Sequence, residues 1–167
     1  MNIVTIVAAV FVSFLFQDAA SKPKMQDCPM HAAHDQMNAR GEHAMGFSQT
    51  ATTHHFFLLD TGGAIQVEAN SPTDKASIDE IRMHLSHITK MFADGNFDIP
   101  MFVHNAVPPG VPEMKRLQSH IHYAFEETPN GGRVVISSAD GKALAAIHRF
   151  LQFQIEEHQT GDTTVVR

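Results

Sequence analysis

Residues 55–70 read HFFLLDTGGAIQVEAN, and residues 122–138 read HYAFEETPNGGRVVISS. In both stretches a Gly-Gly turn separates two runs of apolar and β-branched residues, a pattern typical of a β-hairpin. Each hairpin precedes a segment with apolar residues at helical spacing, roughly 75–93 and 142–158. The sequence therefore predicts an α+β fold in which duplicated ββα units form a four-stranded antiparallel sheet with two helices packed on one face.

The apolar stripes of the predicted helices identify the side of each helix that faces the core. The stripe residues are Ile81, Leu85 and Ile88 in the first helix and Ile147, Leu151 and Ile155 in the second. The first strand differs because Phe56, Phe57, Leu58 and Leu59 are consecutive, which makes it apolar on both faces. We therefore expect its outer side to be covered, either by the connector between the two units or by a second copy of the chain in a homodimer.

Composition divides the 167 residues into an export signal, an arm and one domain. A charge-free apolar run from Ile3 to Phe16, followed by small residues at 19–21, is typical of a signal peptide. We therefore expect a protein exported to the periplasm or secreted, with no integral membrane span after cleavage. The predicted segments are a signal peptide at 1–21, a flexible His- and Met-rich arm at 22–50, a single α+β domain at 51–162 and a tail at 163–167. Within the domain, ββα units at 52–94 and 120–160 flank a connector at 95–119.

The composition supplies many metal-binding side chains: 12 His and 9 Met stand against 1 Tyr and no Trp. Imidazole and thioether groups are neutral donors near physiological pH, and they suit transition metals. The net charge of −6 argues against a nucleic-acid-binding surface. The sequence therefore favours an exported metal-binding protein whose partner is a metal ion, with copper or zinc as the candidates.

Several candidate metal ligands lie in the arm, namely Cys28, Met30, His31 and His34. Cys28 is the only cysteine, so it cannot form an internal disulfide, and a thiolate mixed with imidazole and thioether groups suits Cu(I). Cys28-Pro29-Met30-His31 resembles the CPMH core of the heavy-metal-binding motif at the front of copper-exporting ATPases and efflux subunits. The resemblance implies heavy-metal binding by the arm. The alternative is a polar spacer that contains these residues without binding metal.

Candidate ligands in the domain come from separate elements. His84 and His87 lie three residues apart on one flank of the first helix. His54 and His55 open the first strand, and His104 lies in the connector. Because zinc-type sites take three or four ligands, we expect any metal site here to combine at least three of these rings. The alternative is that the rings are surface residues or hydrogen-bonding groups at strand ends.

Catalytic motifs with specific spacing, such as a nucleophile elbow, a phosphate-binding loop or Cys-x-x-Cys, are absent from the sequence, so no catalytic residue is assigned. The alternative to metal binding is a small enzyme or a ligand- or haem-binding domain with a His-lined site where the connector crosses the sheet. A third possibility is an interaction module with exposed histidines. The mature chain also resembles an uncharacterised family of small exported bacterial proteins, through the stretches 45–47, 52–56, 108–112 and 154–162. That resemblance implies export and supplies no activity.

Overall fold

One antiparallel sheet forms the centre of the molecule. Its strands are β1 (Thr52–Leu59), β2 (Gly62–Ala69), β3 (His122–Thr128) and β4 (Gly131–Ser137). They lie in the order β1-β2-β4-β3, so the second strands of the two hairpins pair with each other at the middle of the sheet. The structure is a computed structural model that describes the backbone of residues 29–167 and the side chains of residues 34–167. The predicted signal peptide lies outside the described residues.

Five α-helices accompany the sheet within residues 29–167. They are α1 (Pro29–Met45), α2 (Lys75–Ala93), α3 (Asp98–His104), α4 (Val111–Arg116) and α5 (Gly141–His158). None of these described helices is long and apolar enough to cross a membrane. α2 packs mainly against β3 and β4, and α5 packs against β1 and β2, so each helix covers the hairpin of the other ββα unit. The predicted α+β fold is confirmed.

The hydrophobic core lies between the sheet and the pair of helices α2 and α5. Strand alternation turns Phe56 and Leu58 inward, where both are buried, and leaves Phe57 half-buried on the opposite face. The predicted helix stripes are buried in the same core, at Ile81, Leu85, Ile88, Ile147, Leu151 and Ile155. Both helices begin at N-cap residues: the carboxylates of Asp74 and Asp140 accept hydrogen bonds from backbone N–H groups of the first turn.

Residues 29–45, which the sequence predicted as part of a flexible arm, instead form helix α1 packed against α3. Met37 and Gly41 on this helix are buried, and Phe47 just beyond it is 3% exposed. The Arg40 Nε–H also donates a hydrogen bond of 2.8 Å to the carbonyl oxygen of Val103 in α3. The prediction missed this helix because its buried stripe is narrow and consists of Met and Gly rather than branched apolar residues.

The connector lies on the helical side of the sheet. Its helix α3 packs against α1, and its helix α4 packs against α5. Gly110, the N-cap of α4 with φ of 88°, approaches α5 so closely that a Cβ would clash with the carbonyl oxygen of Ala146. The connector therefore does not cover the outer side of β1, where Phe57 and Leu59 are half-buried. That a second copy of the chain covers this side of β1 stays a prediction.

The C-terminal segment runs along the free edge of β1. The backbone N–H of Arg167 donates to the carbonyl oxygen of Leu58 at 3.1 Å, and the N–H of Asp60 donates to the carbonyl oxygen of Arg167 at 3.0 Å. The Asp162 carboxylate accepts from the Phe56 N–H at 2.9 Å and contacts His55 Nδ1 at 3.0 Å. These bonds satisfy edge groups of β1 that would otherwise be open to another strand.

Asp162→Ala is expected to lower the free energy of unfolding by about 1–2 kcal/mol, because the charge-assisted bonds to Phe56 and His55 are lost together. Urea unfolding measures the change. Asp60→Ala is the matched control, since this exposed carboxylate lies at the same edge and makes no hydrogen bond among the described residues. Equal effects of the two substitutions would contradict the role assigned to Asp162.

Candidate functional site at a histidine-lined cavity

An apolar cavity of about 70 Å³ lies between the inner face of the sheet, helices α2 and α5, and the connector helix α3. Aliphatic residues from the sheet, α2 and α3 contribute to its walls, among them Ile65, Val67, Leu85, Ile88, Ile99 and Val103, and α5 contributes Phe150. Four histidines complete the lining: His54, His84, His104 and His158. We call these four residues the histidine cluster.

Each member of the histidine cluster is positioned by a different element. His54 lies on the inward face of β1, two residues before Phe56, and is paired in register with Val67. His84 lies on the flank of α2 beside the apolar stripe. His104 is the last residue of α3, and His158 is the last residue of α5. The cluster therefore forms only when the sheet, both core helices and the connector have packed.

His158 is the centre of the cluster. Its ring centroid lies 5.8 Å from that of His54 and 5.1 Å from that of His104. The His54 and His158 rings are nearly parallel, at 11°, whereas those of His104 and His158 are nearly perpendicular, at 86°. Phe47 contacts the rings of both His54 and His84, at 6.1 and 5.6 Å between centroids. The cluster is thus packed against an aromatic ring on the side of α1.

The imidazoles of the cluster are neutral at physiological pH. Burial, reinforced by neighbouring rings, lowers the pKa of His54 and of His84 to about 4 and the pKa of His158 to about 3. Burial also lowers the pKa of His104, against opposing contributions from Gln154 and Glu157. Neutral imidazoles can accept hydrogen bonds or bind a metal ion through the unprotonated nitrogen, but they cannot act as general acids at this pH.

Several buried ring nitrogens of this region have no hydrogen-bond partner. The His104 side chain is 1% exposed, and its Nε2–H donates to Gln154 Oε1 at 3.0 Å. The His104 Nδ1 therefore carries a lone pair, and it is buried without a hydrogen-bond partner. His54 Nε2 and the Gln154 amide nitrogen are also buried and unpaired. Because an unpaired buried polar atom is costly, each of these atoms is available to a hydrogen-bonding or coordinating partner, which a water molecule, a ligand or an ion can supply.

Two polar pockets lie on the outer side of the cluster, beneath helix α1. One, of about 220 Å³, is lined by His54 and His158 together with Asn38 and Thr52. The other, of about 260 Å³, is lined by His104 together with Arg40 and Glu157. His34 of α1 lines both pockets. The histidines therefore separate the apolar cavity from two polar pockets at the surface.

The structure brings together some of the predicted ligands and separates others. His54, His84 and His104 line one cavity, and His34 lines the adjoining outer pockets. His87 is exposed on α2, and His55 lies on the opposite face of β1, where it contacts Asp162. The remaining predicted ligands are not described, because Cys28 lies outside the described residues and Met30 and His31 are described only in their backbone.

No three His, Cys, Asp or Glu side chains within the described part of the chain are arranged to hold one metal ion. The cluster offers pairs of rings instead, with His158 common to both.

His158 and Gln154 are site residues that the sequence reasoning did not select. A lone histidine at the edge of an apolar helix stripe, such as His158 in α5, is usually a hydrogen-bonded core residue. The available signal was spacing: Gln154 and His158 follow Leu151 by three and seven residues, so both lie on the core-facing side of the helix. Polar side chains on the core side of a helix require buried hydrogen-bond partners, and the Gln154 amide nitrogen has none among the described residues.

No protein-family model, curated protein or solved structure matches the chain.

Proposed function

We propose that the protein binds a transition-metal ion, with Cu(I) as the best fit, through His158 together with His54 or His104. The supporting observation is the spacing of neutral rings. Two imidazoles that share one ion at bonds of about 2.0–2.1 Å have ring centroids roughly 4.5–6.3 Å apart. The separations of 5.8 and 5.1 Å from His158 lie inside that range. The unpaired His54 Nε2 and His104 Nδ1 supply donor atoms.

The charge of the surroundings supports a monovalent ion. No Asp, Glu, Lys or Arg lines the apolar cavity, so a divalent ion between His54 and His158 would lose hydration without a compensating negative charge. Beside the other pair, Glu157 Oε2 lies 3.9 Å from His104 Nδ1. Cu(I) is soft and accepts two neutral ligands, whereas structural zinc takes four and a catalytic zinc site three protein ligands. Met45 lines the same cavity and offers a thioether to a soft ion. Zinc fits this arrangement less well than copper.

The proposed role joins the cluster to the N-terminal motif in an exported copper-handling protein. Cys28 directly precedes helix α1, whose residue His34 lines both outer pockets beside the cluster. In this proposal Cys28, Met30 and His31 take up the ion, in keeping with their resemblance to the CPMH motif, and His34, three residues further along the sequence, lines both pockets beside the cluster. Both sets of ligands are neutral or soft, so they suit the same ion.

A second candidate function is a small enzyme or ligand-binding domain that uses the apolar cavity itself. The position of the cavity favours it, because α3 of the connector meets the inner face of the sheet there. At about 70 Å³, however, the cavity is far smaller than the roughly 300–1,000 Å³ of drug-sized pockets, and a haem does not fit it. Any ligand of this kind has only a few heavy atoms.

The metal proposal is tested by Cu(I) titration of the full chain against a competing chelator, after purification without a His-tag. A Cys28→Ser background removes the thiolate of the arm from the measurement. In that background His158→Ala is expected to weaken Cu(I) binding roughly 10–100-fold, because both ring pairs share His158. X-ray absorption of the copper complex should show nitrogen neighbours at about 2.0 Å.

His87→Ala is the matched control, because this exposed ring lies on α2 outside the cavity lining. It should leave Cu(I) affinity unchanged, and circular dichroism checks that each variant is folded. Equal Cu(I) affinity of the His158→Ala and His87→Ala proteins would overturn the proposal for the cluster. Loss of binding with Cys28→Ser alone would restrict it to the arm.

A further inference from the structure

We propose that the apolar cavity on the inner side of the histidine cluster binds a small, uncharged, largely apolar molecule of a few heavy atoms, such as a diatomic gas. This site is separate from the proposed metal ligation, because it uses the aliphatic walls rather than the ring nitrogens. The walls come from β1, β2, α2, α3 and α5, with Met45 of α1 at the side, so the cavity is lined by core residues and is partly open.

A cavity of this size is uncommon among closely packed core residues. Protein cores are packed as densely as organic crystals, and voids larger than a water molecule are few. The cavity holds about 70 Å³, whereas about 10–15 Å³ in the same measure is enough for one water. Its lining residues Val67, Leu85 and Phe150 are each 2% exposed or less, so the void is bordered by firmly packed side chains. A core of this density that keeps such a space fits a role in holding a ligand.

Water is a poor occupant of most of this volume. A buried water requires two to four polar partners. The polar atoms His104 Nδ1, His54 Nε2 and the Gln154 amide all belong to the histidine side of the cavity. The remaining walls, including Ile65, Ile88 and Phe92 among others, offer none. A ligand with an apolar body fits these walls, and a polar end, where the ligand has one, can meet the unpaired amide nitrogen of Gln154.

Charged organic ligands are disfavoured by the same surroundings. The cavity lining contains no ionised side chain, and Arg40 and Glu157 line an outer pocket instead, where Glu157 Oε2 lies 3.9 Å from His104 Nδ1. The histidines remain neutral because burial disfavours their protonated forms. An ion on the aliphatic side of the cavity, away from the ring nitrogens proposed to bind copper, would lose its hydration and gain no partner of opposite charge. The ligand class is therefore neutral.

Xenon is the probe for this site, because it is apolar, inert and of suitable size. The full chain is freed of metal with a chelator, and methyl NMR shifts of Ile65, Ile88 and Ile99 are followed with xenon pressure. A saturable shift of these methyl groups is expected. Because the protein is metal-free and xenon binds no imidazole, this result does not depend on whether the copper proposal holds.

Ile99→Phe is the filling variant, because this half-buried residue of α3 lines the cavity and a larger side chain there occupies the void. It should weaken xenon binding at least about fivefold, with Val107→Phe, an exposed position of the same connector, as matched control. Val67→Ile replaces Ile99→Phe if the latter does not fold. Unsaturable shifts, unchanged affinity in a folded filling variant, or comparable binding of the size-matched cation methylammonium would overturn the proposal.

Discussion

Phe92→Ala is expected to lower the free energy of unfolding by about 3–5 kcal/mol, a large part of the stability of a domain of this size. The Phe92 ring is 2% exposed and lies at the centre of an aromatic group. Its centroid is 4.5 Å from that of Phe97, and 6.0 Å from those of Tyr123 and Phe150. These neighbours belong to the connector, to β3 and to α5, so Phe92 joins three parts of the core.

The size of the effect follows from how little the site can collapse. Phe97 and Phe150 are each 1% exposed or less and are packed on their other sides, so they cannot move to fill the space left by the ring. Urea unfolding monitored by circular dichroism measures the change. Phe102→Ala on α3 is the matched control, because that ring is 49% exposed, and it should cost less than about 1 kcal/mol. Similar losses for both variants would show that Phe92 is not a core anchor.

The hairpins were predictable because their determinants are local. Gly62 adopts φ of 146°, a backbone conformation that residues with a Cβ rarely adopt. The glycine at this position is therefore explained by the turn alone. Gly63 has a further role that the sequence did not reveal. A Cβ at this position would clash with the Leu151 side chain of α5 and with the carbonyl oxygen of Phe57. The second glycine therefore allows α5 to approach the sheet, which is a tertiary requirement.

The candidate site was predictable only in part. His54, His84 and His104 were selected by residue type, but their meeting depends on the pairing of β2 with β4 and on the crossing of the helices between units. Strand alternation distinguishes His54 from His55, because His54 shares the inward face of Phe56 and its neighbour does not. Spacing along α5 places His158 on the core side. No local pattern indicates that these rings border a cavity.

Acidification of the metal-free protein from pH 7 to about pH 4.5 is expected to remove several kcal/mol of stability. His54 and His84 have pKa values of about 4 in the folded protein, and His158 has a pKa of about 3, all below the ordinary value of 6.5. Between the two values the unfolded chain binds more protons than the folded protein. The free energy of unfolding is therefore at its full value above about pH 6.5 and falls as the pH decreases towards the folded pKa.

The magnitude follows from the depressed pKa values. Lowering the pKa of one ring from 6.5 to about 4 corresponds to a loss of about 3 kcal/mol in the free energy of unfolding once the pH has fallen below the folded pKa. At pH 4.5 each ring contributes most of that amount, because the pH is still above the folded pKa. The three contributions do not add simply, since His54 and His158 also repel each other when both are protonated. Because the reference pKa values of Asp and Glu lie near 4, histidines dominate the proton uptake over most of the range from pH 6.5 to 4.5.

His158→Leu isolates one ring, because it removes the titrating group with the most strongly lowered pKa and keeps an apolar side chain in its place. Urea unfolding at several pH values gives the free energy of unfolding, and its slope against pH gives the number of protons taken up on unfolding. Near pH 5 the variant should take up about one proton fewer than the wild type. His122→Leu, at an exposed position of β3, should keep the wild-type slope. A His158→Leu slope equal to that of the wild type would mean that His158 is not held neutral by the fold.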